Sequence, residues 1–156
     1  MIEVEGLTKD YGARRAIDNL TFNANQGEVL GFLGPNGAGK TTIFYMIVGL
    51  YQPNKGEIYL NDEEITSLPM YLRARKGIGY LPQEPSVFRK LTAEENLMAI
   101  LETLPLSQRK RMDRLEELLN ELGLFSLRKQ KAYSLSGGER RRVEITRALV
   151  LSPSFI

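Results

Sequence analysis

The eight residues Gly34 to Thr41, GPNGAGKT, constrain this chain more than any other stretch. They fit the pattern G-x-x-x-x-G-K-[ST], a loop that wraps a phosphate in backbone N–H groups. Such a loop belongs between a strand, which delivers the chain, and a helix, whose N-terminus adds the positive end of its dipole. The flanks agree with that demand. VLGFL before the loop reads as a strand, and TIFYMIVGL after it predicts a buried helix ending near Gly49. The candidate phosphate ligands are Gly34, Pro35, Asn36, Gly37, Ala38, Gly39, Lys40, Thr41 and Thr42. Lys40 would place a point charge between the β- and γ-phosphates, the Thr41 hydroxyl would bind Mg²⁺, and Thr42 would reach the α-phosphate from the first turn. Kinases, GTPases and motor ATPases share this loop, so it specifies a nucleotide and leaves the task open.

The rest of the chain builds around that unit. MIEVEGL, AIDNLTFNA, GEIYLND and GIGYLP read as short strands, so a largely parallel α/β core is expected over residues 1–83. The character changes at Thr92. Thr92 with Glu95 three positions on forms a capping box, and TAEENLMAILETL follows as a helix. SQRKRMDRLEELLNELGL spaces Met112, Leu115, Leu118, Leu119 and Leu122 on one helical face and stops at Gly123. A further helix is expected from about Glu139 to Leu151, with Pro153 ending it. Residues 84–150 are therefore expected to form a helical subdomain.

Composition excludes several classes. No cysteine or histidine is present, which rules out a disulfide framework, a cysteine metal site and a histidine base. The net charge of +2 gives no argument for nucleic acid, and none is expected as a partner. The runs Arg73/Arg75/Lys76, Arg109/Lys110/Arg111 and Arg140/Arg141/Arg142 alternate with acids and read as solvated helix faces. Asp62, Glu63 and Glu64 follow an apolar strand but read as a solvated turn. The longest apolar stretch, Ile43 to Tyr51, is too short to span a bilayer.

A second anion cradle lies almost a hundred residues after the first. LSGGE, Leu135 to Glu139, puts a capping serine and two glycines ahead of the basic, amphipathic segment RRRVEITRAL. With GPNGAGKT earlier in the chain, this segment resembles the signature motif of the ATP-binding subunits of ABC transporters, and the resemblance runs from Ile2 to Ile156. It implies a P-loop NTPase (RecA-like) α/β core with an N-terminal antiparallel β part and a helical subdomain. It also implies that two ATPase subunits pack head to tail, with transmembrane permease subunits as further partners. Ser136, Gly137 and Gly138 would then face the γ-phosphate held by the other subunit, a role compatible with Ser136 capping its own helix. Gln83, in GYLPQE, matches the family's glutamine loop and would serve catalysis and Mg²⁺ alongside Lys40 and Thr41. Tyr11, 29 positions before Lys40, matches the aromatic residue that stacks on adenine, an ordinary surface tyrosine being the alternative.

Within the family, RARKGIGYLPQEPSVFRKLTAEENLMAIL looks most like the ATPase of lipopolysaccharide export, and next like importers of branched-chain amino acids. The implied cofactors are ATP and Mg²⁺. The implied place is the cytoplasmic face of the inner membrane, with EPSVFRKLTAEENLM docking the membrane subunits. The chain ends SPSFI, where the family pattern would go on to its Walker B Asp and Glu and later a switch histidine. The expectation is an N-terminal piece of a longer ATPase, with an incomplete sheet, an exposed apolar edge and little hydrolysis of its own.

Overall fold

The computed structural model describes residues 1–156 and divides into two compact units, Met1–Ile78 with Phe155, and Gly79–Ser154 with Ile156. In the first unit, β1 (Ile2–Tyr11), β2 (Arg14–Ala24), β3 (Lys55–Leu60) and β4 (Glu63–Glu64) form one antiparallel sheet in the order β2-β1-β3-β4. Inward residues of β1 begin at Ile2 and Val4, then shift phase to Leu7. Gly6 takes up the shift: its φ of +58° and the register break between Val4 and Leu7 mark a bulge. Asn61 and Asp62 lie at φ of +49° and +65° in the two-residue turn that pairs Leu60 with Glu63, so Asp62 is a turn residue as expected. Glu63 and Glu64 are not turn residues but form the exposed strand β4, because they pair with Leu60 and Tyr59 of β3. Helix α1 (Lys40–Val48) buries Ile43, Met46, Ile47 and Val48 and ends on the left-handed Gly49. The sequence pattern did not disclose α2 (Met70–Arg75).

Two expected strands do not form. Residues 28–33 carry no strand, with Val29 and Leu33 each 97% exposed, and GIGYLP contributes only an isolated parallel bridge from Ile78 to Phe155. The sheet is thus the antiparallel, incomplete one that the family resemblance implied, and the largely parallel core read from the strand–loop–helix unit does not form. A parallel strand is held by at least one neighbouring strand and by cover on both faces. Residues 28–33 have neither here, and apolar side chains alone do not hold backbone extended. The segment is instead pinned through Phe32, whose ring meets Phe22 of β2 and Phe44 of α1 edge-on, at 5.1 and 5.3 Å between centroids.

In the second unit, α3 (Ala93–Leu101), α4 (Gln108–Glu121) and α5 (Gly137–Leu149) enclose a core that includes Leu97, Leu101, Leu115, Leu118, Leu119, Leu124 and Val143. Thr92 and Glu95 form the expected capping box on α3. Of the expected α4 face, Leu115, Leu118 and Leu119 are buried, while Met112 lies at the edge, half exposed. Arg73 departs from the solvated-face reading. It is fully buried, because its guanidinium donates to four backbone carbonyls of the first unit. No helix is long and apolar enough to cross a membrane.

Candidate phosphate-binding site

Helix α1 begins at Lys40, directly after the glycine loop. Its N-cap is Gly39 at φ +88°, and no side chain caps it. The first-turn N–H groups therefore remain open to an anion. Gly39 has to be glycine twice over. Its backbone is left-handed, and a Cβ there would sit 2.5 Å from Ile17 Cδ1 and 2.8 Å from the Ala16 carbonyl oxygen. That tight fit seats the end of the loop on β2. Gly34 to Ala38 are exposed, and the Lys40 ammonium folds back to donate to the carbonyls of Gly34 at 2.6 Å and Pro35 at 2.8 Å. A phosphate entering the loop would offer that ammonium stronger, charged acceptors.

Thr41 is exposed and its hydroxyl has no protein partner, and Thr42 is half-buried. No group of three acidic side chains could hold a metal by itself. The protein ligands expected for an Mg²⁺ are Thr41 and Gln83, with phosphate oxygens completing its shell. Tyr11 ends β1, 46% exposed, opposite Arg14 of β2. Its ring meets Tyr51 edge-on at 6.3 Å, Tyr51 meets Tyr45 at 5.1 Å, and the Lys9 ammonium lies 5.6 Å from the Tyr11 centroid. The first unit thus carries Tyr11, the loop and both threonines.

The second unit carries Gln83, Ser136, Gly137 and Gly138. Ser136 caps α5, accepting from the Glu139 N–H at 3.3 Å, while the Glu139 carboxylate accepts from the Ser136 N–H at 2.7 Å. This second capping box was readable as Ser-x-x-Glu, though only its serine was identified from the sequence. Gly137 and Gly138 are exposed and have nothing within 4 Å of a Cβ position. Gln83 is exposed in a bend whose ends are tied to α5. Arg141 donates to the Pro82 carbonyl at 2.8 Å, Glu144 accepts from the Ser86 N–H at 2.7 Å, and Arg147 donates to the Ser86 carbonyl at 2.6 Å. Phe88, half exposed, lies 4.4 Å beneath the Arg147 guanidinium, and the buried Asn96 side chain bonds both its N–H and its carbonyl. Sequence periodicity gave no warning that Asn96 and Glu144 are buried polar clamps.

The capping boxes make a pH prediction. Backbone donation from Ser136 and Thr92 holds the Glu139 and Glu95 carboxyls below the ordinary value of 4.5. Lowered folded-state values mean stabilisation that is complete above 4.5 and lost as pH falls through the lowered values. Helical circular dichroism should therefore decline only below pH 4.5. The double variant Glu95→Gln/Glu139→Gln should flatten that decline, and an unchanged acid transition would remove the boxes as its cause.

A sequence model described as ABC transporter matches residues 17–156. The lipopolysaccharide export system ATP-binding protein LptB of Acidithiobacillus ferridurans is 56% identical over the whole chain, which spans 65% of that relative's length. Among solved structures, the ADP conformation of an ATP-binding cassette of an ABC transporter superposes with a TM-score of 0.85 at 30% identity, covering 98% of this chain and 65% of that one. The dimeric post-hydrolysis state of an ATP-binding cassette bound to ADP and Pi superposes with a TM-score of 0.82 at 30% identity, covering 98% and 71%.

Proposed function

The chain belongs to the ABC transporter family, and from that premise we propose that it is the nucleotide-holding part of a transport ATPase of the lipopolysaccharide-export type. The observation that carries the reading is the start of α1: an uncapped helix end, a left-handed Gly39 and the Lys40 ammonium within one glycine loop. In this reading Tyr11 stacks on adenine, Gly34 to Thr42 hold the phosphates, and Thr41 supports Mg²⁺. The metal, when bound, neutralises charge that develops on the phosphates during transfer. Gln83 orients the attacking water or the metal. Ser136, Gly137 and Gly138 close over nucleotide held by a second subunit, as the head-to-tail arrangement requires. Phe88 and its neighbours, braced by Asn96 and Arg147, receive the membrane subunits at the inner membrane's cytoplasmic face. Support for the export reading is the 56% identity to a protein of that name.

Calorimetric titration with MgATP tests it. The wild-type chain should bind, and Ser136→Arg should bind within about twofold of wild type, since an in-trans contact adds nothing to a chain's own affinity. Absence of MgATP binding would end the nucleotide reading. A Ser136→Arg loss as deep as that of Lys40→Ala would end the in-trans role.

A further inference from the structure

One cation beside the loop has no partner of its own. Arg14 begins β2, and Arg15 next to it is fully engaged, bonding Asp10 and Asp18 at 2.9 Å each. Arg14 makes no ion pair or hydrogen bond within the protein. It stands opposite Tyr11 across the β1–β2 ladder, so both side chains rise from the same face of the hairpin. Its guanidinium lies over the loop: a methyl group on Gly37 would come 3.9 Å from Arg14 Nη2. The position is not loose. Ala16 and Ile17 of the same strand press on Gly39, so β2 and the loop are locked together two residues further along.

We propose that Arg14 is a second cation of the phosphate site, its guanidinium binding terminal phosphate oxygens beside Gly37. The proposal rests on the nucleotide reading above and adds a residue to it. Lys40 supplies a point charge from the helix start, whereas Arg14 supplies a planar fork from the hairpin, a shape that grips two phosphate oxygens at once. An unpaired arginine over bared backbone N–H groups adds positive potential where a triphosphate would bring negative charge. The β1–β2 hairpin would then read both ends of the nucleotide, the base by Tyr11 and the phosphates by Arg14.

The test measures MgATP affinity of the 156-residue chain across a series of salt concentrations. Arg14→Met keeps the aliphatic stem and removes the charge. It should weaken MgATP binding roughly tenfold and make affinity less sensitive to salt, with Arg14→Lys recovering part of the loss. Circular dichroism should match wild type, because Arg14 is exposed and holds nothing in the fold. Wild-type affinity in Arg14→Met, beside a large loss in Lys40→Ala, would overturn this proposal and leave the nucleotide reading standing. A loss with unchanged salt dependence would overturn it too, since the lost contact would not be ionic. If the wild-type chain binds no MgATP, the nucleotide reading falls and this proposal falls with it.

Discussion

Lys40→Ala is expected to lower MgATP affinity by about a hundredfold, while leaving the thermal midpoint within roughly 5 °C of wild type. The two halves of that expectation come from the same two hydrogen bonds. Without ligand the ammonium donates to the carbonyls of Gly34 and Pro35 in an exposed loop. Exposed bonds of that kind exchange readily for water, so losing them costs the fold about 1 kcal/mol at most. With ligand the same ammonium would face phosphate oxygens, and charged bonds contribute about 1.5–3 kcal/mol each. Two of them more than account for the hundredfold loss. Titration calorimetry reads the affinity and a thermal melt reads the fold. Equal affinity in the two proteins would show that the loop does not hold phosphate. A collapse of the melt would show that Lys40 serves structure.

Arg73→Met is expected to do the reverse: destabilise the first unit by roughly 3 kcal/mol while leaving affinity intact in whatever remains folded. The guanidinium has no carboxylate partner. Its Nη1 donates to the carbonyls of Met46 at 2.6 Å and Ile47 at 2.9 Å, its Nη2 to Thr66 at 2.7 Å and its Nε to Leu68 at 2.8 Å. Met46 and Ile47 lie in the last turn of α1, where the dipole is negative; the Ile47 carbonyl has no backbone donor and the Met46 carbonyl has only the Gly49 N–H at 3.3 Å. One side chain from α2 thus closes the end of α1 and fastens the connecting segment. Burial pushes its pKa down, yet an arginine stays charged at any working pH. Methionine fills similar volume but leaves the carbonyls of Ile47, Thr66 and Leu68 without donors, and that of Met46 with only the Gly49 N–H at 3.3 Å. Lysine can satisfy at most three, and without the planar fork, so Arg73→Lys should recover only part of the loss. Urea unfolding measures the change. A midpoint equal to wild type would mean that water reaches those carbonyls when the guanidinium is gone.

Much of the candidate site could be read directly from the chain. Glycine spacing with Lys40 and Thr41 announced the loop, Thr92 with Glu95 announced the start of α3, and Ser136 announced the start of α5. The stop at Gly49 was visible as well. These signals lie within a few residues of what they specify. A cap bonds its own first turn, and a left-handed glycine ends its own helix, so the sequence alone determined those features.

Other features depended on partners distant in sequence. The run of apolar residues over 28–33 looked like a strand, but a strand exists only where another strand supplies its hydrogen bonds, and none does so here. Arg73 looked like one of several surface cations, and only the approach of α1 and the 66–68 segment turned it inward to meet four carbonyls. Arg14 and Arg15 are identical neighbours in the sequence, yet the strand places one between two aspartates and the other over the phosphate loop. The sequence by itself determined where α1 stops, where α3 and α5 start and which glycine loop leaves a helix end uncapped, because those are contests between a residue and its own backbone. Tertiary structure decided which strands exist and which cations are buried, paired or free, because hydrogen bonds and desolvation are settled by whatever group the fold brings alongside.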